Sequence, residues 1–244
     1  MSEASVVRLA SRPHNSLDLG RMSRPTAPSS PSPFPTPSDA EKKSDRTRAE
    51  ILNSALEFLW SNRFRDMTVA AVMAPTSAGR SAFYQYFEDL QDLMATLLEE
   101  LREEIVAGVQ PWLAGDGDPV GLLRDSLREL VRVCHHYGPV LQAITDAAPT
   151  DEQLEEAWTT FMSGWDDVVT ARIEADQAQG LIPAFQARPV AVALNRMDAH
   201  TLIHAFGRRP RAPQEPVYEA IARVWVGALY GSTSNSRRTR EEAG

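Results

Sequence analysis

The sequence predicts an all-α protein, with three short helices placed before a long one and a larger helical domain behind them. Three observations predict it. From Ser44 onward apolar residues recur at three- and four-residue spacing, the period of a helix with one buried face. No run of alternating β-branched residues occurs, and Gly and Pro fall between the periodic segments as punctuation. The 244 residues are 43% hydrophobic and 24% charged, with a mean hydropathy of −0.32, which excludes a wholly disordered, collagen-like or membrane-spanning chain. A formal charge of −8 excludes a uniformly basic protein but leaves room for a local positive face.

Residues 1–43 carry seven of the seventeen prolines, among Ser and Thr, and are expected to form a disordered arm because they offer too little burial to offset ordering. Over residues 1–48 the net charge is +3, suited to phosphate contacts beside a DNA-binding unit or to a solvated tail. Ser44 or Asp45 is positioned to cap a helix whose stripe is Ile51, Leu52, Ala55, Phe58 and Leu59. Thr68 is expected to cap a short helix with Val69, Val72 and Met73. Arg80 to Phe87 makes a third helix, and Glu88-Asp89 opens a fourth through Leu93, Leu97, Leu101 and Ile105 toward Trp112. Further helices are expected at 119–136, 139–147, 151–179, 188–206 and 216–231, broken among other places at Gly138-Pro139. The broad stripe of 151–179, from Leu154 to Ile173, places it in the middle of the larger domain. Residues 232–244 read as a polar, frayed tail.

Two short helices joined by a tight turn, the second opening on small residues, suit a helix-turn-helix, whose second helix enters a groove about 12 Å wide. Residues 68–87 read T-V-A-A-V-M-A-P-T-S-A-G-R-S-A-F-Y-Q-Y-F. This stretch resembles the TetR family of transcriptional repressors, matching its T-V start and F-Y-x-Y-F end at Thr68, Val69, Val72, Phe83, Tyr84, Tyr86 and Phe87. The chain departs from the family pattern at Ser77, where the turn glycine stands, at Gly79, where a capping Ser or Thr stands, and at Leu90, where a phosphate-holding Lys stands. The resemblance implies a DNA-binding domain at 44–92, reading a double-stranded operator with Arg46, Arg48, Thr68, Gly79, Arg80, Ser81, Ala82, Tyr84, Gln85 and Tyr86. Phe83 and Phe87 are expected to pack the three-helix core. Residues 44–92 hold five basic and seven acidic side chains, so binding would lean on few cations and depend on salt.

The remainder resembles the EthR-like members of that family through Phe161-Met162, Trp165, Ala193-Leu194-Asn195, Met197, Thr201-Leu202, Trp225-Val226 and Tyr230-Gly231. The resemblance implies a ligand-binding and dimerisation domain at 93–231. A small lipophilic ligand would lie among Trp112, Trp158, Phe161, Met162, Trp165, Val169, Asn195, Asp198 and Trp225. Read without the resemblance, Trp158, Phe161, Met162 and Trp165 at helical spacing fit a plain core better than a cavity lining, and the resemblance brings the two readings level. Asp198 stands where the family has a second Asn, and a carboxyl buried there would be neutral or favour a cationic ligand. The helices at 188–206 and 216–231 carry Ala191, Leu194, Leu202, Ala205, Ile221, Val224, Ala228 and Leu229. The resemblance implies a two-fold homodimer through them, with Gly227, Ala228 and Gly231 allowing close approach.

Nothing in the sequence signals catalysis or a cofactor. Neither G-x-S-x-G, a Walker motif nor a dinucleotide fingerprint occurs. His135 and His136 are adjacent and diverge on a helix, whereas His200 and His204 have the i, i+4 spacing of a metal pair or of a dimer surface. The single cysteine, Cys134, excludes an intramolecular disulfide and fits a reduced compartment. With no secretory core and no apolar stretch near ~20 residues, a cytoplasmic location without a membrane partner is expected. The expectation is a DNA-binding repressor, not an enzyme, released from its operator by a small lipophilic ligand. The alternative is a helical small-molecule-binding protein or enzyme with a degenerate helix-turn-helix.

Overall fold

The computed structural model describes residues 39–115 and 117–241, with side chains placed over 44–115 and 117–231. Most of the arm expected at 1–43, with Asp116 and the last three residues, lies outside the described residues. Eight α-helices form among those described: α1 (Asp39–Leu59), α2 (Val69–Met73), α3 (Arg80–Phe83), α4 (Leu90–Ala114), α5 (Pro119–Ala147), α6 (Glu152–Ala178), α7 (Ala187–Phe206) and α8 (Gln214–Glu241). Short 3₁₀ turns at Phe64–Asp66 and Ala148–Thr150 complete the description, and no strand occurs among these residues. From Asp45 onward the chain is one compact unit. A continuous apolar core runs from Ile51 in α1 to Tyr230 in α8.

Capping side chains fix several starts. Thr68 Oγ1 accepts from Ala71 N at 3.1 Å, Asp89 from Asp92 N at 2.8 Å, Asp118 from Gly121 N at 2.9 Å and Asp151 from Leu154 N at 3.2 Å. Gly115 closes α4 in the left-handed region at φ 84°, where glycine bears no Cβ penalty.

Five expectations are corrected. Helix α1 begins at Asp39, one turn before Ser44. The third helix is regular only to Phe83, and Tyr84 to Tyr86 continue as turns whose amides still reach the carbonyls of Ala82 and Phe83. No break occurs at Gly138-Pro139. Helix α5 runs through both, because the carbonyl of His135, which loses its helical donor to Pro139, accepts from Arg211 Nη1 at 2.8 Å. The middle of the larger domain is α5, which packs on α4, α6, α7 and α8, while α6 turns Glu155, Glu156, Thr159 and Asp167 outward. Last, α8 continues to Glu241, since neither Pro nor Gly stands between 232 and 241 to stop it.

Candidate functional site

The helix-turn-helix forms from α2, the turn at 74–79, and α3. Its turn is tied to α1: Ser77 donates to Glu50 Oε2 from its hydroxyl at 2.6 Å and from its amide at 3.0 Å. These two bonds, with Arg46 nearby, hold the Glu50 carboxyl below its ordinary range. Where the family pattern has a flexible glycine, this chain has a serine pinned by a carboxylate. Neither Ser77 nor Glu50 reads as a pair in the sequence, because 27 positions separate them.

The face of this unit is exposed. Arg80, Ser81, Gln85, Thr68 and Gly79 lie at the surface, and Tyr84 is 57% exposed, the most open large hydrophobic side chain described. Ala82 and Tyr86 are half-buried, and Phe83 and Phe87 are buried in the core with rings 5.4 Å apart. Arg46 is exposed. Arg48 instead pairs with Glu100 of α4 at 2.8 Å, so it meets DNA only by giving up that bond.

Helix α4 starts three residues after Phe87, and its far end, through Ile105, Val109 and Trp112, forms one wall of an apolar cavity in the larger part of the unit. Helix α6 supplies Trp158, Phe161, Met162, Trp165 and Val169. Helices α7 and α8 add Asn195, Asp198 and Trp225. Trp158 stacks on Phe161 at 5.6 Å, and Trp112 meets Trp225 edge-on at 5.9 Å. All nine residues picked from the sequence therefore border one space. Helix α5 contributes six that the sequence reading missed, Leu123, Ser126, Leu127, Leu130, Cys134 and Leu141, because nothing on an amphipathic helix marks which buried positions adjoin a void. The cavity volume is about 90 Å³.

Polar groups in this wall are few and specific. Trp225 Nε1 donates to both oxygens of Asp198, at 2.9 and 3.1 Å. Burial pushes the Asp198 carboxyl up to about 8, with the indole bond opposing the rise. Asn195 Nδ2 donates to Asp166 Oδ1 at 2.9 Å, and Arg196 holds the other Asp166 oxygen at 2.9 Å. Ser126 Oγ is buried without a hydrogen-bond partner. Cys134 is buried, and desolvation raises its thiol well above the usual range, so it is no activated nucleophile. Behind the wall, Trp112 Nε1 donates to Tyr230 Oη at 3.3 Å, which donates to Asp176 at 2.5 Å, itself paired with Arg172 at 2.5 Å.

The connection between α7 and α8 reaches the base of the helix-turn-helix unit. Trp60, just past α1, lies under two guanidinium groups, Arg209 at 4.9 Å and Arg211 at 4.8 Å. Arg209 also pairs with Glu57 at 3.2 Å. The two helices that border the cavity are thus joined by a loop that grips α1.

Of the eight apolar residues expected to form a surface for association, Ala191, Leu194, Leu202, Ile221 and Leu229 are buried in the chain's own core. The exposed stripe on α8 is Val224, Gly227, Ala228 and Gly231, at i, i+3, i+4 and i+7. His200 and His204 are exposed on α7, and no metal-binding group of three ligands occurs among the described residues.

A pinned helix-turn-helix mounted on a helix that borders an apolar cavity defines a two-part helical regulator. The comparisons agree. The model of the C-terminal domain of the transcriptional regulator EthR matches residues 123–231. The HTH-type transcriptional regulator EthR of Mycobacterium tuberculosis H37Rv is 26% identical over 196 residues, covering 79% of this chain and 91% of that protein. Among solved structures, NalD, the secondary repressor of the MexAB-OprM multidrug efflux pump of Pseudomonas aeruginosa, aligns with a TM-score of 0.61 at 19% identity, over 78% of this chain and 98% of that one. A TetR-family regulator from Agrobacterium tumefaciens aligns with a TM-score of 0.62 at 19% identity, over 77% and 99%. The chain is thus similar to the transcriptional regulator EthR, its C-terminal domain above all, and shares the fold of TetR-family regulators. No helix among the described residues is long and apolar enough to cross a membrane.

Proposed function

We propose that the chain is a cytoplasmic repressor that binds an operator as a homodimer and is released by a small lipophilic ligand. The observation that carries this reading is α4, which leaves the exposed helix-turn-helix at one end and borders the cavity with Trp112 at the other. Arg80 and Tyr84 are offered to phosphates and Ser81, Ala82 and Gln85 to the major groove, with Arg46 and the basic arm adding charge. Pairing through the α8 stripe would set two such heads on one duplex.

Release follows as a population shift. The free space is narrow, so a guest favours conformations in which α4 and α6 stand further apart. The displacement reaches the head along α4 and through the Trp60 clamp, changing the separation of the paired heads. A gel shift with the DNA upstream of the chain's own gene tests this. A sequence-specific complex that weakens with salt and dissolves on adding a cavity ligand is expected. Binding of ligands with no specific DNA complex at low ionic strength overturns the repressor reading.

A further inference from the structure

We propose that the cavity takes a lipophilic primary amine, its apolar body among Trp158, Phe161 and Trp165 and its ammonium group on the carboxylate of Asp198. This rests on the reading of the cavity as a ligand site and adds the charge and hydrogen-bonding character of the ligand.

The argument begins with what the cavity lacks. None of its described lining residues is Lys, Arg or His. Asp198 is 5% exposed, and its carboxyl receives only the neutral indole N–H of Trp225. A carboxyl desolvated this far without a cation is costly, and an asparagine would hold Trp225 as well through its own oxygen. The acid is accounted for if the counter-charge arrives with the ligand.

The other polar groups point the same way. With its NH₂ committed to Asp166, which also pairs with Arg196, Asn195 has only its carbonyl oxygen to offer. Ser126 Oγ is buried, unpartnered and part of the same wall. Two of the four indole N–H groups of the wall are in use, Trp225 on Asp198 and Trp112 on Tyr230. The wall thus presents oxygens able to accept, at Asp198, Asn195 and Ser126. A primary ammonium brings three N–H donors and one charge, and the faces of the surrounding tryptophans favour a cation further.

Isothermal titration of the full chain at neutral pH with decylamine and with decanol tests the proposal. The two probes share a chain length and differ in the charge of the head. Wild type is expected to bind decylamine about ten-fold more tightly than decanol, the scale of a charge-assisted hydrogen bond over a neutral one. Asp198→Asn keeps an oxygen for Trp225 and is expected to bring the two affinities together without losing decanol. Ser126→Ala is expected to weaken decylamine more than decanol. Equal binding of the two probes by wild type, or tighter binding of decanol, overturns the amine proposal and leaves the ligand cavity standing, and that comparison requires no variant to fold. A preference that survives in Asp198→Asn overturns it too. Failure of wild type to bind either probe overturns the amine proposal together with the ligand reading beneath it.

Discussion

Arg211 donates from Nη1 to the main-chain oxygen of His135 at 2.8 Å, the carbonyl that Pro139 leaves without a helical partner. The same guanidinium lies over Trp60, so one side chain mends α5 and holds α1. Arg211→Ala is expected to cost about 2 kcal/mol, combining a charged hydrogen bond with a cation–π contact. Urea unfolding measures it, and Pro139→Ala in the same background should recover part of the loss. No change in midpoint would show the bond to be solvent-replaced.

Gly138 of α5 lies hard against the backbone at the end of α7. A Cβ built there would stand 2.2 Å from the carbonyl oxygen of Phe206, which is backbone and cannot turn aside. Gly138→Ala is expected to destabilise by about 2 kcal/mol or more. Thermal unfolding reads this directly. A neutral substitution would mean that α5 and α7 part without cost.

At the reading head, Arg80→Ala is expected to weaken operator binding uniformly across sequences and to lower the slope of log affinity against log salt by ~1. Arg80 is exposed, so the melting temperature should stay within error of wild type. Binding measured at several salt concentrations separates a phosphate contact from a bystander, for which the slope does not move.

In the cavity, Trp165→Ala and Asn195→Ala are expected to weaken ligand binding about ten-fold or more while leaving the DNA affinity of the free protein near wild type. Asn195→Ala also removes a donor from buried Asp166, whose Arg196 partner remains. Ligand titration and gel shift on the same preparations decide it. Parallel loss of both activities would assign these residues to packing.

Asp198 gives stability a pH dependence with a definite sign. In the folded chain its carboxyl holds a proton to about pH 8, with only Trp225 and the Cys134 thiol as polar neighbours that act on it, whereas unfolded it titrates near ~4. Its contribution is therefore fully present below the unfolded value and is lost as pH rises through the folded one. Asp198→Asn is expected to gain on wild type in melting temperature as pH is raised from ~5 to ~8. A gain by wild type over the same range would mean that Asp198 is ionised and paired.

The stop signals at Gly138-Pro139 show where local reading failed. Both residues ordinarily end a helix, yet here glycine admits Phe206 and proline's orphaned carbonyl finds Arg211, partners 68 and 72 positions or more downstream that no local pattern contains. The same holds for Ser77, whose departure from the family's glycine is answered by Glu50. The broad stripe of α6 misled for a related reason: Trp158, Phe161 and Trp165 border a void and are only half-buried, so an apolar face did not mean a central helix.

Helical periodicity, capping residues and the Thr68 to Phe87 spacing were set by the sequence itself, because they depend on neighbours within one or two turns. Which buried positions adjoin the cavity, which apolar stripe remains exposed on α8, and how a loop beyond α7 reaches Trp60 were decided only by the tertiary structure. Those depend on surfaces brought together from opposite ends of the chain, and a one-dimensional pattern does not record what lies across from a side chain.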